Sequence, residues 1–172
     1  MKTYILTKKH FREIGEKFSS LGNIKFINMK LFHLYGTMDG DKKFTTTIIK
    51  QLINNQDIKL TKGTQSRDFI YVDDAVRAFL TVLESNNVEV NQNYDVGTGC
   101  MVSIRDFVQI VQRISKSKSK LLFGEKQMRV NEYEVSNISA EISELNKLGW
   151  FPETSLEQGI ESLINYLAHS KS

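Results

Sequence analysis

The stretch Lys62-Gly63-Thr64-Gln65-Ser66-Arg67-Asp68-Phe69-Ile70-Tyr71-Val72-Asp73-Asp74 passes from a turn, through a strand, into a helix. Lys62-Gly63 marks the turn, where glycine tolerates backbone angles that other residues resist. Asp68 to Tyr71 on one side and Ile58 to Leu60 on the other are short runs rich in β-branched and aromatic residues, which predicts strands. Asp73 is placed to act as N-cap of a helix carrying Val76, Phe79, Val82 and Leu83 at helical spacing. A strand feeding directly into a helix is the building unit of layered α/β folds.

The alternation continues outward in both directions. Tyr4, Lys8, Phe11, Gly15 and Phe18 fall on one face of an opening helix, with Ile14 and Leu21 beside it and Gly22 as its stop. Phe26 to Leu34 is apolar on both faces, as a buried strand is, and Tyr35-Gly36 opens a loop. Phe44, Ile48, Ile49, Leu52 and Ile53 predict an amphipathic helix closed by Asn54-Asn55-Gln56-Asp57, and Tyr94 to Val96 predicts a short strand. Ser103 with Asp106 caps a helix carrying Ile104, Phe107, Val108, Val111 and Ile114. Ser139 is read as the start of a helix that Gly149 stops, and Ser155 with Gln158 caps a last helix carrying Leu156, Ile160, Leu163, Ile164 and Leu167. The fold class is α/β, with no internal repeat.

With 172 residues, 40% of them hydrophobic and 25% charged, the chain has the length and composition of one core-forming domain. The 23 basic and 20 acidic residues are interspersed, so no nucleic-acid footprint is read; the run Lys116-Ser117-Lys118-Ser119-Lys120 reads as a solvated loop. Cys100 stands alone, no signal peptide is recognised and no window is long enough to span a bilayer, which predicts a cytoplasmic protein away from the membrane.

Candidate chemistry begins at Tyr4-Ile5-Leu6-Thr7-Lys8, where a phenol and an ammonium stand one helical turn apart. An ammonium at that spacing stabilises a phenolate and suits the pair to proton exchange; the bland alternative is a packed aromatic with a solvated lysine. Arg67 offers a planar fork suited to phosphate, or alternatively a surface ion pair with Asp68. Asp73-Asp74 reads as cap and dipole partners rather than a metal site. Gly97-Thr98-Gly99 fails as a dinucleotide fingerprint because Val102 stands where a third glycine belongs.

Four segments in order resemble the extended short-chain dehydrogenase/reductase family, in particular its NAD(P)-dependent nucleotide-sugar epimerases, dehydratases and reductases. Tyr4-x-x-x-Lys8 is similar to the family's catalytic Y-x-x-x-K, and Leu31-Phe32-His33-Leu34-Tyr35-Gly36 to its strand ending in Tyr-Gly. Lys62 to Asp74 resembles the signature G-x-x-x-R-D-F-x-x-V-x-D, and Leu148-Gly149-Trp150-x-Pro152 running into Ser155-Leu156-Glu157-x-Gly159 resembles the C-terminal L-G-W-x-P…S-L-x-x-G ending. The resemblance implies the C-terminal portion of a Rossmann-type fold with the smaller substrate-binding domain. Residues 1–36 would be the end of the dinucleotide-binding domain and 37–172 mainly the substrate-binding domain, with 68–98 returning to the Rossmann-type sheet.

By the same resemblance Tyr4 and Lys8 are catalytic and, with Phe32, contact the cofactor, NAD or NADP. The tyrosine takes the proton of a sugar hydroxyl while hydride leaves the same carbon, and the lysine also bonds the nicotinamide ribose. The substrate, a nucleotide-diphosphate sugar, falls to His33, Phe44, Leu60, Arg67 and Arg129. Arg67 and Arg129 are assigned to the diphosphate, Leu60 to the base and Phe44 to the sugar pocket; Leu60 and Phe44 read equally as core. His33 stands where many members carry asparagine and Thr37 where proline is usual. Histidine there resembles the branch making CDP-linked dideoxy sugars, such as abequose or paratose synthases, which reduce a 4-keto sugar; it reads as easily as a structural strand-end residue.

The family's glycine-rich opening, which seats the pyrophosphate at a helix N-terminus, and its catalytic Ser or Thr are not found in this sequence. The expectation is therefore a fragment of such an enzyme, serving surface-polysaccharide sugar synthesis, that neither binds NAD(P) tightly nor turns over alone. Its expected partner is a second copy or a separate N-terminal half. The alternatives are a non-catalytic nucleotide-sugar-binding or assembly module pairing with a separate cofactor domain, and the relic of a truncated gene.

Overall fold

The computed structural model of the chain describes residues 2–22, 24–127 and 138–169. Helix α1 (Lys2–Ser20) is followed by β1 (Asn28–Leu31) and β2 (His33–Tyr35), α2 (Phe44–Ile53), β3 (Ile58–Leu60), β4 (Ser66–Arg67) and β5 (Phe69–Tyr71). Then come α3 (Val72–Glu84), β6 (Asn93–Val96), β7 (Val102–Ser103), α4 (Ile104–Ser115), β8 (Leu121–Phe123), α5 (Ser143–Lys147) and α6 (Leu156–His169).

β1 and β2 are two halves of the one expected strand, which runs one residue further, to Tyr35. Successive amides of a strand point to opposite edges. Those of Asn28 and Phe32 reach Gln92 and Val96, both at 3.0 Å, on the β6 side; that of His33 reaches the Asp68 carbonyl at 2.9 Å on the β5 side. β6 therefore pairs parallel with β1 on one edge and β5 pairs parallel with β2 on the other. The break falls where Leu34 N–H turns back to the Phe32 carbonyl at 2.8 Å, a three-residue turn. β3 runs parallel to β8, and β4 antiparallel to β7.

The alternation of side chains splits β5 between two cores. Phe69 and Tyr71 join Tyr35 in a cluster with α2, α4 and α6, while Ile70 enters a second cluster with Ala75, Ala78, Val82, Tyr94, Val96, Leu145 and Trp150. In the first, Phe69 stacks on Phe107 at 4.6 Å. Both faces being covered explains why this strand is apolar without interruption.

The caps at α4 and α6 form as expected. Ser103 Oγ accepts the Asp106 N–H at 3.0 Å and donates to its carboxylate at 2.6 Å. Ser155 and Gln158 exchange bonds at 3.2 and 2.9 Å. Gly22 and Gly149 end their segments at φ +92° and +86°.

Three expectations are corrected. Asp73 is not an N-cap: β5 runs into α3 with no intervening residue, Tyr71 occupies the cap position without a side-chain bond, and Asp73 sits exposed in the first turn. The buried face of α3 is Asp74, Ala75, Ala78 and Val82, whereas Val76, Phe79 and Leu83 are exposed; the small residues let α3 lie close to the second core. Ser139 does not begin α5, which starts at Ser143; the segment before it is irregular and tied to the sheet by the Ala140 N–H, which donates to the Asp68 carboxylate at 2.9 Å.

Candidate functional site

Two open depressions flank the strand from Asn28 to Tyr35. The larger, about 970 Å³, is lined by His33 from β2, Phe44 from α2, Leu60 from β3 and Arg67 from β4. Four of the five residues expected to hold the substrate thus converge from four elements; Arg129 lies outside the described residues. Lys42, Gln51, Lys59, Gln65, Lys126 and Gln127 complete much of the polar wall. None of these six carries a spacing signal in the sequence; only Gln65 falls within the stretch from Lys62 to Asp74.

Arg67 has no ion pair among the described residues; one guanidinium nitrogen donates to the Ser66 carbonyl at 2.7 Å. The alternative pairing with Asp68 is not made. Asp68, 2% exposed, accepts Thr98 N–H and Oγ1–H, both at 2.7 Å, and Gly99 N–H and Ala140 N–H, both at 2.9 Å. This carboxylate fills the amide nest that Gly97-Thr98-Gly99 would otherwise offer a phosphate. A Cβ on Gly97 would collide with Ala140 and the Asp68 carboxylate, so close approach explains that glycine. The loop is a strand-end clasp, in keeping with the failed fingerprint.

Asp74 does comparable work on the other side. It is buried against Arg77, accepts Glu153 N–H at 3.3 Å and Thr154 N–H at 2.9 Å, and its carbonyl accepts the Trp150 indole N–H at 3.1 Å. The paired aspartates are thus one dipole partner and one anchor. No cluster of potential metal ligands occurs among the described residues.

His33 packs edge-on to Phe69 with ring centroids 4.8 Å apart. Burial, then the charges of Arg67 and Lys43, pull its pKa from 6.5 to about 4, with Asp39 opposing. The imidazole is therefore neutral near pH 7 and offers the cavity one donor and one acceptor nitrogen. Tyr35 is the reverse case: burial, then Tyr71, Asp74 and Glu157, raise its pKa, and its hydroxyl donates to the Leu156 carbonyl at 3.3 Å. It is a structural phenol.

The second depression, about 580 Å³, is lined by Tyr4, Lys8, Phe11, Phe26, Leu31 and Phe79 among others. Tyr4 and Lys8 share one face of α1, with the ammonium 5.7 Å from the ring centroid, and Tyr4 is 67% exposed. Phe32 lines neither depression; its ring lies under the Lys30 ammonium at 4.8 Å. The structure therefore brings Tyr4 and Lys8 together and leaves Phe32 apart from them.

The chain is 42% identical over 171 residues to a CDP-abequose synthase of Salmonella typhimurium, covering 97% of this chain and 56% of that protein. Its fold matches the UDP-glucose 4-epimerase of Thermotoga maritima, solved with UDP-glucose, at a TM-score of 0.87 and 22% identity, covering 97% of this chain and 53% of that one. A UDP-glucuronic acid 4-epimerase from Bacillus cereus, solved with UDP-glucuronic acid and NAD, matches at a TM-score of 0.79 and 23% identity over 96% and 51%. The chain spans about half the length of these proteins, and its architecture is part of a Rossmann-type epimerase fold. The family model described as NAD dependent epimerase/dehydratase family matches residues 1–97, more than half of the sequence, and the chain belongs to that family.

Proposed function

We propose that this chain carries the substrate side of an NAD(P)-dependent nucleotide-sugar epimerase, dehydratase or 4-ketoreductase that prepares sugars for surface polysaccharides. One observation carries the reading: His33, Phe44, Leu60 and Arg67, separated in sequence, line a single cavity of about 970 Å³. Arg67, which has no carboxylate partner among the described residues, holds the diphosphate; Leu60 packs on the base, Phe44 bounds the sugar, and neutral His33 bonds a sugar oxygen. The likeness to a CDP-abequose synthase favours a CDP-linked 4-keto sugar.

NAD or NADP, when bound, supplies the hydride chemistry. Tyr4 and Lys8 fit its nicotinamide-ribose end, since they sit together on one helix face and line an open depression. Tyr4 moves a proton between its phenolic oxygen and the sugar oxygen, and Lys8 stabilises the phenolate. The pyrophosphate has no glycine-rich seat in these 172 residues. Tight cofactor binding and turnover therefore require that segment to be supplied.

Calorimetric titration with CDP-hexose and UDP-hexose tests the reading. The chain binds one of them, and Arg67→Ala weakens binding by about tenfold or more, the worth of a charge-assisted hydrogen bond. Absence of binding to either sugar nucleotide overturns it, and with poor folding points to a gene relic. A second reading, a nucleotide-sugar-binding module that pairs with a separate cofactor domain, is favoured by the larger cavity being walled by this chain while Tyr4 stands open to solvent. The two differ in whether adding a cofactor domain yields hydride transfer that depends on Tyr4.

A further inference from the structure

We infer that a diphosphate entering the larger cavity brings a proton with it, taken up at His33, so that the site holds its nucleotide sugar more tightly in mild acid than at neutral pH. The inference rests on the proposed role of the cavity and adds a proton to it. Its basis is the arrangement of charge around one wall. His33 is fixed there through its backbone, by the bond to the Asp68 carbonyl at 2.9 Å, and through its ring, edge-on to Phe69.

The groups bearing on it come from three places. Arg67 approaches from β4, Lys43 from the residue before α2, and Asp39 from the preceding loop. Asp39 is paired with Lys43 at 2.7 Å, so those two charges largely cancel. The Asp68 carboxylate is turned to Thr98, Gly99 and Ala140 and is not available to Arg67. Among the described residues Arg67 thus has no carboxylate partner; Lys42 and Lys126 add cations on the same cavity, and Asp57, whose carboxylate accepts the Lys120 N–H at 2.7 Å, adds an anion. Lys59 and Glu125, which also line the cavity, pair with each other at 3.3 Å.

Burial first, and the positive wall second, keep the imidazole neutral, in agreement with its low pKa. A diphosphate on Arg67 carries two negative charges, which offset the cations of that wall and favour a positive charge on the neighbouring imidazole. The bound site then holds a proton that the empty one releases, and linkage requires affinity to rise as the pH falls through the interval between the two titrations. A diphosphate esterified at both ends keeps its charge throughout this range, so the proton belongs to the protein. At pH values below both titrations, each unit by which the ligand raises the His33 titration is tenfold in affinity, and at pH 5 only part of that is realised. A rise of about one and a half to two units makes binding at pH 5 roughly four- to tenfold tighter than at pH 7.5.

The test uses the 172-residue chain with UDP-glucose and CDP-glucose. The His33 ring proton, assigned by its loss in His33→Gln, is titrated by NMR with and without each sugar nucleotide. Dissociation constants are measured by calorimetry at pH 5 and pH 7.5; UDP-glucose carries the pH comparison because cytosine itself titrates in acid. The expected result is a His33 midpoint at least one unit higher in the complex, with tighter binding at pH 5 that His33→Gln abolishes. Binding that is equally tight at both pH values, with an unmoved midpoint, overturns the coupling and leaves the role of the cavity standing. Failure of both sugar nucleotides to bind at any pH overturns that role and the coupling together.

Discussion

At the scale of single residues, buried polar groups do more than the charged surface. His33 is neutral in the fold with its pKa lowered to about 4, whereas the unfolded chain titrates near 6.5. The unfolded state therefore binds the extra proton first, so stability is fully present above about pH 6.5 and is lost as pH falls toward 4. The loss is on the order of 3 kcal/mol; urea midpoints measured from pH 7 to pH 4.5 in the absence of ligand fall accordingly, and His33→Gln flattens that slope. Asp68 accepts four bonds in the interior. Asp68→Ala orphans three backbone amides and costs about 3 kcal/mol or more by chemical denaturation, with Asp68→Asn milder because one acceptor oxygen remains. Arg67 and His33 were legible as site residues because a motif surrounds them. The work of Asp68 was not, since its donors sit at positions 98, 99 and 140, far along the chain.

At the scale of elements, local rules located most helix ends. Ser103 and Ser155 cap where their spacing to Asp106 and Gln158 says they should, since capping is settled within one turn. Asp73 failed for a reason that spacing does not encode: β5 and α3 are continuous, so no residue was left to act as a flexible cap. Gly159 shows the opposite sign of helix propensity. In an ordinary helix Gly→Ala gains about 1 kcal/mol, but a Cβ at Gly159 would land on the Tyr35 hydroxyl. Gly159→Ala should lower the thermal midpoint, with a cost of about 1–3 kcal/mol from overpacking. Adding Tyr35→Phe, which removes the obstructing oxygen, should recover part of the loss; a stabilised Gly159→Ala would contradict this packing of α6 on β2.

At the scale of the whole molecule, α1, the turn after it and α3 leave apolar side chains in the open: Tyr4, Phe11, Phe18, Leu21, Phe79 and Leu83 are all more than a third exposed. Tyr4, Phe11 and Phe79 share one depression, and exposed apolar surface of this kind drives association. The chain is expected to self-associate at micromolar concentration in sedimentation velocity. Phe18→Glu with Leu83→Glu shifts it toward monomer without lowering its melting temperature, whereas a monodisperse wild-type monomer would refute the expectation. By itself the amino-acid order determined the α/β alternation, both capped helices and the motif residues, because periodicity, caps and turns act over a few neighbouring positions. Only the tertiary structure decided which face of α3 is buried, that one strand serves two partners on opposite edges, and that His33, Phe44, Leu60 and Arg67 share one cavity. Those outcomes depend on packing between segments tens of residues apart, where close contact and shared charge, rather than local spacing, set the result.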